Sequence, residues 1–231
     1  MFDYRFAYLL GNLLLLLPVW AFFFYRRKDL RREMIMVSII TGAIGPISEL
    51  WYLQDYWRPE TFTGTSIGLE DFLFGFFIGG IASVIYEEIF GKKYAKRKDR
   101  RHHWPLFVIP FFICFIFSLH TLFALGLNSI YASIIGFLVF AAIIIFYRKD
   151  LFWDSLVSGL LVGALAFISY LIYLMMFPGV IQKWWLLNNI TSVLIVGVPL
   201  EELMWAFGWG MVAGPMYEFF RGLRLQNDNI K

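Results

Sequence analysis

Long apolar runs alternate with short polar loops along the whole chain. Each run is close to the ~20 residues that a helix needs to cross a bilayer. The runs predict seven transmembrane helices, near residues 5–25, 34–53, 69–90, 104–126, 129–147, 152–177 and 192–220. The last run contains carboxylates, glycine and proline, but its other positions stay apolar for long enough to span. The pattern therefore predicts an all-α, polytopic membrane protein.

The loops between these runs differ in charge. Basic residues concentrate in segments 26–32, 92–101, 148–149 and 221–231, whereas the alternate loops hold only Arg58 and Lys183. Because basic loops tend to stay cytoplasmic, this alternation predicts a multi-pass protein of the cell membrane with its N-terminus outside and its C-terminus in the cytoplasm.

Composition agrees with a membrane location. The 231 residues are 60% hydrophobic and only 16% charged, with a mean hydropathy of +0.67. A soluble domain would need a more polar surface. The net charge of +3 is spread over short loops, so no nucleic-acid partner is expected. The lipid bilayer is the expected environment, and homo-oligomerisation is left open.

The chain repeats itself. Segment 68–71 reads GLED and segment 199–202 reads PLEE, and a Tyr-Glu pair follows each at the same distance, ending at Glu87 and Glu218. FYRRKDL at 24–30 also returns as FYRKDL at 146–151. One membrane domain, 1–231, is therefore predicted to hold two parallel three-helix repeats, about 5–91 and 129–221, joined by a connector helix at about 104–126. Such proteins often place their site between the halves.

Both acidic pairs fall where a predicted helix enters the outer side of the bilayer, and Glu49 lies at the same depth. Carboxylates in apolar helices are costly, so they indicate a functional site. Glu87 and Glu218 lie about 25 Å further along their helices. Solvated ion pairs with nearby basic residues are the favoured interpretation of these two, with a structural role left open.

The two acids of each pair point along different helix faces, since residues four apart share a face. The second acids, Asp71 and Glu202, line up with small residues: Gly75 and Gly79, and Ala206, Gly210 and Gly214. Small residues at this spacing let membrane helices approach closely. Predicted helices three and seven are therefore expected to meet through Gly75/Gly79 and Ala206/Gly210.

The first acids, Glu70 and Glu201, line up with aromatic residues. Those residues are Phe74 and Phe77 below Glu70, and Trp205 and Trp209 below Glu201. Aromatic faces stabilise positive charge, so an acid above them is suited to forming a carbocation. We expect Glu70 and Glu201 to face an apolar cavity, with the second acids orienting or sharing their protons.

These features resemble the lycopene cyclase domain, of the heterodimeric or fused type, from about Phe6 to Phe220. Glu201 and Glu202 match the family's acidic motif, and Glu70 and Asp71 match it except that Gly68 replaces proline. The segments DYWRP at 55–59 and ELW at 49–51 resemble the aromatic–Asn–Pro and Trp-Asp stretches of the family, with substitutions in each.

The resemblance implies an intramolecular lyase or isomerase that closes a ring at the end of a linear polyene or isoprenoid. An acid protonates a double bond, the cation cyclises and a base removes a proton. The reaction is redox-neutral, so no cofactor is expected, and no metal. The implied catalytic residues are Glu201, Glu70, Glu202, Asp71 and Glu49, and the implied substrate contacts are Trp205, Trp209, Phe74, Phe77 and Trp51.

Other membrane classes fit less well. The predicted seventh helix has no lysine for a rhodopsin Schiff base, and Ala206 stands where an intramembrane glutamate protease would want arginine. A transporter or proton-coupled carrier stays open as the alternative, since intramembrane acids and duplicated halves suit it too. His102, His103 and His120 are expected to be structural.

Overall fold

The structure, a computed structural model, describes residues 4–96 and 108–227 and is mainly helical, as predicted. Its helices are α1 Ala7–Arg26, α2 Arg31–Asp55, α3 Leu69–Ala82, α4 Ile85–Phe90, α5 Val108–Ala124, α6 Ser129–Tyr147, α7 Phe152–Met176, α8 Val180–Trp184 and α9 Leu200–Arg221. Four short strands are β1 Lys92–Lys96, β2 Leu194–Ile195, β3 Val198–Pro199 and β4 Leu223–Asn227. The predicted start of the fourth helix, with His102 and His103, lies outside the described residues.

Within residues 4–96 and 108–227, five helical segments are long and apolar enough to cross a membrane. They are Ala7–Arg26, Arg31–Asp55, Leu69–Phe90, Ser129–Tyr147 and Lys149–Met176. These segments mark a membrane protein. Helices α5 and α9 do not belong to this group, so the number of seven spans stays a prediction.

The last helix begins later than predicted. We expected it from residue 192, but α9 starts at Leu200 and the preceding residues form the β2–β3 hairpin. Gly197 turns this hairpin at a φ of 88°. Pro199 disfavours a helical conformation at the residue before it. The helix therefore starts after Pro199, although the residues before it are also apolar.

Close helix packing occurs within each half of the chain. A Cβ atom on Gly75 would lie 3.0 Å from the carbonyl carbon of Thr41 in α2, and one on Gly210 would lie 2.6 Å from the carbonyl oxygen of Ser158 in α7. The small residues therefore join α3 to α2 and α9 to α7. The predicted contact of α3 with α9 through these residues was wrong, because the close backbone approach is made to the preceding helix of the same half.

Helices α3 and α9 meet through large side chains instead. The rings of Phe74 and Trp205 lie 5.9 Å apart. Phe137 of α6 packs against Trp205 and Trp209, at 5.7 and 5.5 Å. Aromatic residues thus fill the space between the two halves.

At the other end of the bundle, Arg27 and Arg148 make matching sets of hydrogen bonds. Arg27 donates to the carboxylate of Asp29 and to the carbonyls of Glu87 and Lys92, and Arg148 donates to the carboxylate of Asp150 and to the carbonyls of Glu218 and Leu223. Hydrogen bonds from Arg27 lower the pKa of Asp29, which lies in the loop after α1. Strands β1 and β4 follow these carbonyls and pair antiparallel. Matching bonds of this kind are what the predicted duplication would leave.

Candidate active site

Helices from both halves enclose a cavity of about 200 Å³. Its wall comes from α1, α2, α3, α6, α7 and α9, with Trp184 and Trp185 closing one side. Most of the lining is apolar or aromatic. Three carboxyl groups, those of Glu49, Asp71 and Glu202, interrupt this apolar surface.

Glu202 is held by three donors. The hydroxyl of Tyr56 and the indole nitrogen of Trp185 donate to its Oε1 at 2.5 and 2.8 Å, and the hydroxyl of Tyr170 donates to its Oε2 at 2.7 Å. Hydrogen bonds that a carboxylate accepts are among the stronger ones in proteins. The three donors come from the end of α2, from α7 and from the segment after α8, so they fix Glu202 between separate parts of the chain.

The other two carboxyl groups have fewer partners. Asp71 Oδ2 accepts from the backbone N–H of Gly68 at 2.7 Å, which caps α3. Its Oδ1 is buried and has no hydrogen-bond partner among the described residues, and the Tyr8 phenol faces the group. Glu49 accepts from the indole nitrogen of Trp57 at 3.0 Å and is 4% exposed. Both acids are therefore buried beside the cavity with little of the compensation that Glu202 receives.

Three of the predicted substrate contacts line the cavity, namely Trp205, Trp209 and Phe74. The rings of Trp205 and Trp209 stack at 6.4 Å with an angle of 26°. The Trp205 indole nitrogen donates to the Tyr52 hydroxyl at 3.0 Å, whereas that of Trp209 is buried without a partner in the described structure. The two indoles thus present a stacked aromatic wall.

The segments that precede the two acidic pairs pair with each other over one side of the cavity. Trp57 and Trp185 form an antiparallel β-bridge, and their rings lie 5.3 Å apart. The N–H of Arg58 donates to the carbonyl of Trp184 at 2.7 Å, and the N–H of Leu186 donates to the carbonyl of Tyr56 at 2.8 Å. We call these two bridged segments, 56–58 and 184–186, the roof.

The first acids do not line the cavity. Glu70 Oε1 accepts from the backbone N–H of Phe62 at 2.5 Å. Glu201 Oε1 accepts from the Tyr131 hydroxyl at 2.8 Å and from the N–H and hydroxyl of Thr191 at 3.0 and 2.6 Å. Each first acid therefore anchors the loop that precedes its own helix. The prediction that the first acids face the cavity was wrong. N–H and hydroxyl donors of these loops bind the first acids and hold them away from the cavity, whereas the second acids line it.

The remaining predicted contacts, Phe77 and Trp51, also lie outside the cavity lining. Phe77 is 6% exposed and packs near Trp20 of α1, with ring centroids 6.3 Å apart. The Trp51 indole is directed at His120 of α5, with an Nε1 to Nδ1 distance of 3.4 Å. Neither residue therefore lines the cavity in the described structure, where their expected role as substrate contacts would place them.

Sequence reasoning missed several lining residues beside the acids, among them Tyr8, Tyr56, Tyr170 and Trp185. Tyr170 stands in the repeat at the position that corresponds to Glu49, in the aligned segments 42–52 and 163–173. An acid in one half is therefore replaced by a phenol in the other. That exchange was visible in the sequence, whereas the approach of Tyr56 and Trp185 to Glu202 depends on the roof.

Glu87 and Glu218 are not solvated. Both are fully buried, and no ion pair reaches either of them within the described residues. The favoured interpretation of exposed ion pairs was therefore wrong. The nearby arginines bind backbone carbonyls and other carboxylates, as described above, and leave these two side chains inside.

Comparison with known proteins finds a similarity in the second half of the chain. The model of the lycopene cyclase family matches residues 128–220. The matched segment contains α6 to α9, and with them Glu201, Glu202 and both stacked indoles. No curated protein and no solved structure matches the chain. The match confirms the predicted resemblance over residues 128–220, where this chain is similar to the lycopene cyclase family.

Proposed function

We propose that this protein is a lycopene-type carotenoid cyclase, which closes a ring at the end of a linear polyene by an acid-initiated, redox-neutral reaction. The observation that carries the proposal is the convergence of Glu49, Asp71 and Glu202 on an apolar, aromatic-lined cavity. The family match over residues 128–220 supports the same activity. As a chemical class, the reaction is an isomerisation by an intramolecular lyase.

The hydrogen bonds suggest a division of labour among the three acids. A protonated carboxyl group can give its proton to a substrate double bond, and Asp71, whose Oδ1 has no partner among the described residues, is open to the cavity for this. Glu49 lies close enough to Asp71 to interact with it electrostatically and is the second candidate for the proton donor. Glu202 accepts three hydrogen bonds, and an acceptor-only carboxylate suits the base.

The proposed reaction balances without an electron carrier. A proton moves from Asp71 or Glu49 to one carbon of the terminal double bond, which leaves a cation on the other carbon. An internal double bond attacks that cation, a carbon–carbon bond forms, and the positive charge moves into the new ring. Glu202 then takes a proton from a neighbouring carbon, so the product is an isomer of the substrate.

The walls of the cavity suit this intermediate. Trp205 and Trp209 present ring faces, and aromatic faces attract cations most strongly where water is excluded. A volume of about 200 Å³ is smaller than typical sites for whole ligands. We therefore propose that it holds one end of the polyene while the rest lies in the bilayer. The first acids, Glu70 and Glu201, act as positioning residues that hold the loops.

We further propose the orientation that the loop charges predict, with the N-terminus outside and seven spans in two parallel repeats. The matching bonds of Arg27 and Arg148 support the duplication. In this orientation the cavity lies toward the outer side of the bilayer. A polyene would enter it sideways from the lipid, since such molecules dissolve in the hydrocarbon.

Expression in a bacterium that accumulates lycopene tests the proposal. We expect cyclised pigments in extracts separated by chromatography. Asp71→Asn and Glu202→Gln variants should leave linear pigment at normal membrane levels of the protein. Glu60→Gln is a matched control, because Glu60 is half-exposed, pairs with Lys183 and does not line the cavity. If lycopene stays unchanged although the wild-type protein is folded, cyclisation is contradicted. A transporter or proton-coupled carrier would then be the favoured function.

A further inference from the structure

A second cluster of acids lies at the end of the bundle away from the cavity. Glu87 of α4, Asp154 of α7 and Glu218 of α9 each offer a carboxylate oxygen, and these oxygens all lie within 4.8 Å of one another. The three residues are 0%, 2% and 0% exposed. They therefore form one buried, all-oxygen group that the proposed cyclisation does not use.

Most of these oxygens have no partner. Both oxygens of Glu87, both of Glu218 and Oδ2 of Asp154 make no hydrogen bond within the described residues. Asp154 Oδ1 accepts from the Ser158 hydroxyl at 3.1 Å. Buried charges are normally paired or bound to metal, and no ion pair within the described part of the chain reaches the cluster. Either a bound cation or protons shared among the acids must therefore offset this charge.

Within the described residues, no neighbouring basic side chain forms an ion pair with these carboxylates. Arg148 is already bound to Asp150 and to two backbone carbonyls. Tyr94 of β1 donates its hydroxyl proton to a fourth buried acid, Glu33, which interacts electrostatically with Glu218. Glu33 thus adds negative charge beside the cluster.

We propose that Glu87, Asp154 and Glu218 bind a hard divalent cation of about the size of Ca²⁺. Oxygen donors without nitrogen or sulfur favour this class of metal. Two ligands of one ion can lie at most twice the bond length apart, which is about 4.6–5.2 Å for Ca²⁺ and about 4.0–4.2 Å for Mg²⁺. The ligand oxygens all lie within 4.8 Å of one another, which is inside the limit for the larger ion.

The position of the cluster gives the cation a structural role. Glu87 belongs to the first half of the chain, and Asp154 and Glu218 belong to the second. An ion among them therefore links the halves at the end opposite the cavity. This inference stands apart from the proposed cyclase activity, since it rests on a different set of residues and is tested without substrate.

The test uses the full chain purified in detergent. We expect elemental analysis to find about one divalent ion per molecule after exposure to Ca²⁺. Prolonged treatment with EDTA should remove it and lower the Tm. Adding Ca²⁺ should restore the Tm in a saturable way, and Mg²⁺ should restore it less well.

Variants separate a bound metal from shared protons. Glu218→Gln, and separately Asp154→Asn, should lose the bound ion and the response of the Tm to Ca²⁺. Glu60→Gln, which removes one carboxylate elsewhere, should keep both. The proposal is overturned if the wild-type protein holds no divalent ion after exposure to Ca²⁺ and its Tm ignores both EDTA and Ca²⁺, because protons shared among the acids would then account for their burial.

Discussion

Replacing Trp209 by leucine should slow ring closure without weakening substrate binding by a comparable factor. Trp209 lines the cavity, is 7% exposed and stacks on Trp205. Its indole nitrogen has no hydrogen-bond partner in the described structure. The substitution therefore removes an aromatic face without breaking a hydrogen bond, which is not true of Trp205.

The size of the effect follows from the cation. A ring face that is shielded from water stabilises a nearby positive charge by about 2 kcal/mol. Because only the transition state and the intermediate carry this charge, the loss should appear in kcat. It corresponds to a decrease of about 30-fold. Trp209→Phe keeps a ring face and should lose less.

The assay is the initial rate of cyclised product in membranes that contain the variant and a range of polyene concentrations. Rates are divided by the amount of folded protein, since a smaller side chain at this buried position also costs about 1–3 kcal/mol of stability. Trp153→Leu is the matched control, because Trp153 is 65% exposed on the outside of the bundle. A Trp209→Leu protein with a normal kcat and a raised KM would refute the cation argument.

Two further outcomes are expected. Gly210→Ala should lower stability by about 1–3 kcal/mol in a thermal-shift measurement, because the added Cβ would meet the Ser158 carbonyl. Gly163→Ala is the control and should be neutral, since the nearest atom to its added Cβ lies 3.8 Å away. Equal Tm values for the two variants would contradict the packing described for α9 and α7. Glu201→Gln should keep about a tenth or more of the cyclase activity, because an amide oxygen can still accept the hydrogen bonds of the loop. Glu202→Gln should be inactive. The reverse order of activities would show that the first acids, rather than the second, take part in the reaction.

The helices were largely predictable from sequence, because an apolar run of sufficient length has few alternatives in a bilayer. The predicted spans 34–53, 129–147 and 152–177 agree closely with α2, α6 and α7. The predicted span 69–90 is present as Leu69–Phe90, with a short break between Ala82 and Ile85. The predicted start of the last helix at residue 192 was wrong, since that helix starts at Leu200. Hydropathy does not register such breaks, because the residues concerned stay apolar.

Sequence reasoning predicted which residue types form the candidate site, but not which side chains point into the cavity. Helical spacing placed each acid on a face correctly relative to its own helix, yet it could not say which neighbour that face meets. Gly75 and Ala206, which share faces with the second acids, line the cavity, but so do Trp205 and Trp209, which share a face with Glu201. The loop donors from Phe62 and Thr191 bind the first acids, and no periodicity within a helix reveals them.

The buried cluster at the other end had a sequence signal that was overlooked. Four residues after the repeated Lys-Asp-Leu aspartates, Asp29 and Asp150, stand Glu33 and Asp154. Together with Glu87 and Glu218, this gives two acids from each half at matching positions. Their proximity to basic loops suggested ion pairs, but the arginines bind backbone carbonyls, which leaves the acids inside.

Deuterium incorporation during turnover tests the central claim of acid-initiated ring closure most directly. Membranes containing the wild-type protein are supplied with linear lycopene in D₂O. The product is then separated, and its molecular mass is measured by mass spectrometry. The account predicts one deuterium atom per ring formed, since the initiating proton exchanges with solvent and a different proton leaves. Glu202→Gln membranes should give no cyclised product. Rings formed without deuterium, or normal turnover by folded Glu202→Gln protein, would contradict it.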